Sequence, residues 1–515
     1  MLKSDPRQTE FVDFLLPFGG KLKTSNRWAR LAGMMPWQVV EQCYAESLAG
    51  TGMGSPAKSG RIAYGALVIK VRLGITDEET VEQISENPYL QYFLGLNEFR
   101  EEPLFDPPMM VHFRARFTEA AHQRINDAII GLATPKTDEQ TADREHEDSE
   151  RDDAPANGGK LLIDATCTPA DISYPTDLKL LGEAREKTEQ IIDTLHAPFI
   201  GERKKPRTYR CKARKQFLAV ARQKKPGKRR IRKAIGQQLR YIKRNLGHID
   251  KMLEQGADLS ELTRYQLKCL QVIHELHRQQ SIMHREKTRS IPDRIVSISQ
   301  PHVRPIVRGK AGKSVEFGAK ISLSHLPGGM VSLDRPSWEA YNENNGLTGQ
   351  VEGYRERYGH YPASVHADGI YRTRANRAYC KELGIRLSGK PLGRPPKETE
   401  ENKGTLKARK KQILEDERDR IPVEGKFGNA KRKGTLDRIM ARLSNTAGSV
   451  IHVGIVVLNL DTWLRAVLFW LIARHRDWVQ SLASASATPT TRVHVGSSIP
   501  LWPKHNMFSG GYTVL

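Results

Sequence analysis

Lys160-Leu-Leu-Ile-Asp164-Ala-Thr166 opens a new pattern after a long polar stretch: a short apolar run ending in a bare carboxylate. The arrangement returns 204 residues later, where Ser364-Val-His-Ala-Asp368 carries another apolar run to an aspartate. Both read as strands, because short apolar runs bounded by turn residues favour strand over helix. In an α/β sheet the carboxyl ends of strands face a shared crevice, so the two aspartates are expected to converge. A third acid, Glu424, stands 56 residues further on, within Arg420-Ile-Pro-Val-Glu424-Gly-Lys-Phe-Gly-Asn-Ala-Lys431. Three carboxylates among basic residues suit two divalent cations, since Mg²⁺ takes carboxylate oxygens and leaves positions for phosphate oxygens. The residues alone leave open a plainer role, in which an acid caps a helix or pairs with an arginine.

The chain around these acids has 515 residues, 38% apolar and 27% charged. That is too apolar for a wholly disordered chain and too polar for a membrane protein. Its net charge is +23, and 19 Lys and Arg with no acid lie between Arg203 and Arg244. So concentrated a positive stripe points to a polyanion, because each neutralised phosphate releases counterions. Five scattered cysteines (Cys43, Cys167, Cys211, Cys269, Cys380) form no CxxC pair. Neither a disulfide framework nor a zinc ribbon is expected, and a reducing compartment is favoured. The N-terminal residues lack the charge order of a signal peptide. The apolar stretch 450–473 is interrupted by Asn459, Asp461 and Arg465, so it reads as a buried helix or helix pair rather than a span.

Five segments follow. Residues 1–132 form a helical N-terminal domain with DNA binding as its expected role, its last helix running over 107–130. Residues 133–159 form an acidic linker, and 160–476 a catalytic α/β domain. Residues 200–290 are a basic helical hairpin inserted in it: apolar residues from Ile231 to Leu253 recur every three or four positions, and Ser260 is placed to cap the next helix. Residues 477–515 form a weakly ordered tail. Strands are expected at 294–299, 305–307, 315–322, 330–333, 362–367 and 385–387, and helices at 338–345, 348–358, 373–383 and 406–419. Some motifs are discounted. Asp171 and Asp177 end no apolar strand and read as turn caps. Arg308-Gly-Lys-Ala-Gly-Lys-Ser314 has Val307 where a phosphate loop needs glycine, so it reads as a strand turn, with Arg308 and Lys310 as DNA contacts. His274, His277 and His284 lack metal-ligand spacing. Gly393-Arg-Pro-Pro-Lys397 reads as a plain loop, and Trp338 and Tyr341 as core.

Three blocks together resemble the bacterial insertion-sequence transposases with an acidic DDE triad on an RNase H-like fold. LLIDATCTPADISYPTDLKLLGEAREKTEQIID (161–193) is similar to the family's first-aspartate block, and HADGIYRTRANRAYCKELGIRLSGKPLGRPPK (366–397) to its second. Arg420, Glu424 and Lys431 reproduce the R-(3)-E-(6)-K part of the Y-(2)-R-(3)-E-(6)-K signature, while Glu417 stands where that signature has tyrosine. The resemblance implies an RNase H-like mixed sheet flanked by helices. It implies Asp164, Asp368 and Glu424 as the catalytic and metal-binding triad, with Mg²⁺ as cofactor and Mn²⁺ as a substitute. Arg420 and Lys431 would hold DNA phosphates, joined by Arg308, Lys310, Arg374, Arg229 and Arg230. The implied reaction is cleavage at the ends of an insertion sequence and joining of the 3′-hydroxyl to target DNA. A homodimer on double-stranded DNA in the bacterial cytoplasm, associated with the nucleoid, is expected. The alternatives are a metal-dependent nuclease that cuts without joining, and an inactive DNA-binding derivative.

Overall fold

The computed structural model describes residues 16, 20–48, 56–134, 156–310, 313–390, 393, 396, 397, 399, 402–433 and 436–485. Most of the expected acidic linker, part of the Gly393–Lys397 loop and the tail beyond Ala485 lie outside the described residues.

Among the described residues seven helices come first: α1 (Arg27–Met34), α2 (Trp37–Glu46), α3 (Gly60–Leu73), α4 (Asp77–Glu86), α5 (Pro88–Phe93), α6 (Met109–Arg116) and α7 (Glu119–Ala133). Side chains of Asn26, Ser59, Thr76 and Thr118 accept backbone N–H groups at the starts of α1, α3, α4 and α7, satisfying donors a helix leaves unpaired. Thr118 also divides the expected single helix over 107–130, because Phe117 before it is extended and α7 starts afresh from the cap.

The rest of the chain builds one sheet and its covering helices. In order these are β1 (Lys160–Pro169), α8 (Asp177–His196), α9 (Arg210–Ala221), α10 (Lys228–Glu254), α11 (Arg264–Glu286), β2 (Arg304–Lys310), β3 (Lys313–His325) and β4 (Val331–Ser337). Then come α12 (Leu347–Tyr358), β5 (Ser364–His366), α13 (Arg374–Glu382), β6 (Arg386–Leu387), α14 (Lys403–Lys433) and α15 (Ser444–Ala485). The strand order is β2-β3-β1-β5-β6, with β4 also paired to β3. Pairs β1–β3, β2–β3 and β3–β4 are antiparallel, whereas β1–β5 and β5–β6 are parallel. Antiparallel strands followed by parallel ones reached through crossover helices make the mixed α/β, RNase H-like sheet expected from the sequence.

Several local expectations are corrected. β1 runs five residues past Asp164, because β3 pairs with it as far as Pro169↔Gly318. A side chain at Gly318 would bring its Cβ within 2.1 Å of the Thr168 carbonyl oxygen, so glycine is required there. Among the described residues, 294–299 pairs with no strand; Ile295 donates its N–H to Gln279 Oε1, and Ile295 and Ile298 pack into the core of the insertion. The helix expected at 338–345 is only a 3₁₀ turn at Glu343–Gly346. α11 is capped by Thr263 with Gln266 reaching back, rather than by Ser260. The insertion exceeds a hairpin: α8 shares its apolar core with α10 and α11. α14 continues past Asp419, where the expected helix ended, and through Pro422 to Lys433.

The C-terminal helices are one helix, α15, and its interrupting polar residues are engaged. Asn459 donates to Asn126 Oδ1 and to the Val331 carbonyl, both at 2.8 Å. Asp461 pairs with Arg72 at 2.8 Å, and Thr462 accepts from Lys426 Nζ at 2.7 Å. The stretch Ser444–Arg476 is long and apolar enough to cross a membrane, yet residues such as Val453, Val456, Leu460 and Trp463 are buried within the chain. They join Leu161, Ile163 and Val365 on one sheet face to Trp28, Tyr64 and Phe93 of the N-terminal helices in a single core. Each fully buried Leu, Val or Ile contributes about 2 kcal/mol. On the opposite face Leu162, Leu323 and Leu333 pack against Val423 and Phe427 of α14.

Candidate metal-dependent nucleic-acid site

Strand alternation decides where the first acid points. Leu161 and Ile163 belong to the core on one face and Leu162 to the core under α14. Asp164, two residues beyond Leu162, therefore lies on the α14 face. Register then supplies its neighbour. β1 and β5 pair in parallel as far as Leu162↔His366, and Asp368, two residues beyond that last pair, is close enough for its charge to raise the Asp164 pKa.

Asp164 is half-buried and accepts the Ala165 N–H at 2.8 Å. Burial raises its pKa; the Ala165 N–H and the Arg420 guanidinium oppose the rise, while Glu343 and Asp368 add to it. Asp368 lies just past β5, accepts the Gly369 N–H at 2.6 Å and keeps its carboxylate open to solvent, with 62% of the side chain exposed. Arg420 Nη1 is 3.8 Å from Asp368 Oδ1. The structure thus joins Asp164, Asp368 and Arg420. Glu424 projects from the next turn of α14 and is exposed, and among the described residues no hydrogen bond or ion pair ties it to the two aspartates.

α14 is held at this place by a clamp that the sequence did not reveal. Arg386 on β6 donates to both carboxylate oxygens of Asp416 at 2.9 Å. Lys160 on β1 donates to Asp419 at 2.7 Å. Between them His366 on β5 is wholly buried, with Nδ1 3.8 Å from Asp416 and Nε2 3.9 Å from Asp419. Burial lowers the His366 pKa and Asp416 opposes that shift, so the ring is favoured neutral. The three ligand atoms lie within 4.8 Å of one another, as a metal site would need. Arg386 and Lys160 already neutralise both carboxylates, however, so the arrangement acts as an ion-paired clamp. The i,i+3 spacing of Asp416 and Asp419, one turn before Arg420, was its only sequence signal.

Glu343 is a second missed residue. It lies near enough to raise the Asp164 pKa, and its carboxylate is paired with Lys320 at 2.8 Å. Nothing in the local sequence distinguishes it from the other acids.

The expected DNA contacts are distributed more widely. Lys431 sits two turns beyond Glu424 on α14. Arg374 is exposed at the first position of α13, and Arg229 and Arg230 are exposed in the first turn of α10. Arg308 and Lys310 are on β2, with side chains outside what is described. Asp171 and Asp177, expected as turn caps, are ion-paired instead: Asp171 with Arg438, and Asp177 with Arg294 at 2.7 Å.

Comparison with known proteins adds three findings. Residues 365–461, which span β5 to the middle of α15, match a family described as "Transposase DDE domain". Residues 17–116 match one described as "Transposase domain (DUF772)". The chain is also 30% identical over 151 residues to "Uncharacterized protein ORF8 in nfe locus" of Rhizobium meliloti, covering 29% of this chain and 65% of that protein. No solved structure matches the chain.

Proposed function

Since the chain is an insertion-sequence DDE transposase by its two domain matches, we propose that it cleaves the ends of an insertion sequence and joins the freed 3′-hydroxyl to target DNA. The observation that carries this reading is the closeness of Asp368, just past β5, to Asp164 on β1, where its charge raises the Asp164 pKa, with Arg420 3.8 Å from Asp368. Both alternatives, a nuclease that does not join strands and an inactive derivative, share that geometry and are separated from it by assay.

Asp164, Asp368 and Glu424 would hold divalent ions, Mg²⁺ in the first place and Mn²⁺ as a substitute. The donors fit such a group: all are carboxylate oxygens, Asp368 is open, and burial together with the Glu343 and Asp368 charges raises the Asp164 pKa, which a bound cation would offset. Bound there, divalent ions would supply Lewis-acid stabilisation to the attacking and leaving oxygens of an in-line displacement. The chain's own residues do the rest. Arg420 is placed to take a phosphate oxygen in a bidentate contact near Asp368, and Lys431 to supply a point charge further along the backbone. The ion pairs of Arg386 with Asp416 and of Lys160 with Asp419 would fix α14, and hence Glu424, relative to the sheet. The cations of α9 and α10 hold duplex DNA away from the reacting phosphate.

The test is incubation of the full chain with a supercoiled plasmid carrying its insertion sequence and a target plasmid, in Mg²⁺. Joined products identify a transposase, and cleavage without joining identifies a nuclease. Binding with neither reaction identifies the inactive derivative.

A further inference from the structure

A cleft of about 930 Å³ opens in the inserted helical module, between the starts of α8 and α10, the end of α9 and the end of α11. It lies outside the carboxylate site. Its floor is apolar, formed by Leu178, Phe217, Ile231 and Met283. Its rim is basic: among the described residues Lys179, Lys228, Lys287 and Arg289 carry no acid partner, and the acid Asp177 is neutralised by Arg294 and bonded by Gln280. The Phe217 ring lies against α8 where Gly182 leaves room for it; a Cβ there would meet the ring at 2.8 Å. Tyr174 stands at the mouth, 71% exposed, its ring held edge-on against Phe317 with centroids 5.5 Å apart.

First-turn residues of both α8 and α10 line this cleft, so the positive ends of two helix dipoles lie beside it. The first turn of α10 nevertheless carries Lys228, Arg229 and Arg230 and no acid. Cations at that end disfavour the helix, and an anionic ligand would relieve them. The ligand must therefore be anionic at the rim and flat or apolar at the floor. A duplex offers phosphates but keeps its base faces stacked, so it cannot line the floor. We propose that the cleft binds an unpaired nucleotide of single-stranded DNA, its base against Phe217 and Tyr174 and its phosphate among the rim cations. A charged groove with aromatic platforms is the general solution for unpaired strands, and the volume suits a ligand of this size. The proposal rests on the module being a DNA-binding part of the transposase, and it adds strand state to that reading.

The experiment measures fluorescence anisotropy of the full chain with two labelled duplexes of one sequence, one blunt and one with a five-thymidine 3′ overhang. The overhang duplex is expected to bind at least about five-fold more tightly. Tyr174→Ala and Lys287→Gln, both exposed positions outside the Arg203–Arg244 stripe, should each remove most of that preference and leave blunt binding within about two-fold. Equal affinity for the two duplexes, or a preference that survives both substitutions, overturns the proposal. Free thymidine monophosphate that displaces the overhang as well as a thymidine oligomer does would overturn the strand and assign the cleft to a small nucleotide. Plasmid cleavage and joining are run on the same preparations. Joining with no overhang preference sinks the cleft alone, and overhang preference without cleavage sinks the transposase reaction alone.

Discussion

The acid-bearing end of the sheet and the basic helical insertion use charge in opposite ways. At the sheet, β1 carries Asp164, the turn after β5 carries Asp368 and α14 carries the proposed third acid, Glu424, and neighbouring side chains are tied by named partners such as Arg386 on Asp416. In the insertion, 19 basic residues lie within 42 positions, and Arg229, Arg230 and Lys228 are exposed in one helical turn. Position matters at the first site and number at the second. A displacement of phosphoryl groups needs a few oxygens in fixed places, whereas counterion release needs many cations in roughly the right region. The net charge of +23 describes the second region and conceals the first.

The contrast can be broken from either side. The largest effect is expected from Asp164→Asn or Asp368→Asn, which should lower end cleavage at least about a thousand-fold and leave DNA affinity in a gel-shift titration nearly unchanged. Asp416→Ala comes next. It removes the buried partner of Arg386 and should cost about 2 kcal/mol in urea unfolding, with cleavage falling while DNA affinity holds. If cleavage is unaffected, the clamp does not position α14.

A pH effect is also expected at the sheet. Burial raises the Asp334 pKa from 3.8 to about 6, against hydrogen bonds from Gln350 and Ser324. The folded chain therefore holds this proton more tightly than the unfolded chain, and this carboxyl's contribution to stability falls as pH rises from 3.8 to about 6. Asp334→Asn should leave the urea midpoint close to that of the parent chain at about pH 3.5 and raise it relative to the parent at about pH 7. A constant difference across that window would refute the shift. The smallest effect is on the basic side. Arg229→Ala or Arg230→Ala should weaken duplex binding only about two- to three-fold and reduce the slope of log affinity against log salt by about 0.9.

The acids at the end of the sheet were easier to find in the sequence than the geometry around them. The apolar runs before Asp164 and Asp368 located two strands, and the parallel pairing of those strands does the rest. The extension of β1 to Pro169 was hidden, because it depends on β3, far along the chain, and on Gly318 making room for it. Periodicity found α10 closely, since an amphipathic face is a local property. It failed at 107–130, where the spacing continues but the Thr118 cap starts a new helix. At 450–473 the expected buried helix is present as part of α15, and the polar residues that interrupt its apolar run find partners in the folded chain, as Asn459 does at Asn126 and Val331. Glu343 and His366 joined the site through tertiary contacts alone.

Glu424 is the acid on which the account depends most and which the fold ties down least. The direct measurement is single-turnover cleavage of a labelled insertion-sequence end in Mg²⁺ by the full chain and by Glu424→Gln, with DNA binding measured in parallel. Loss of cleavage by at least about a thousand-fold with binding retained is the expected result. Cleavage by Glu424→Gln at a rate near that of the parent chain would contradict the triad of Asp164, Asp368 and Glu424.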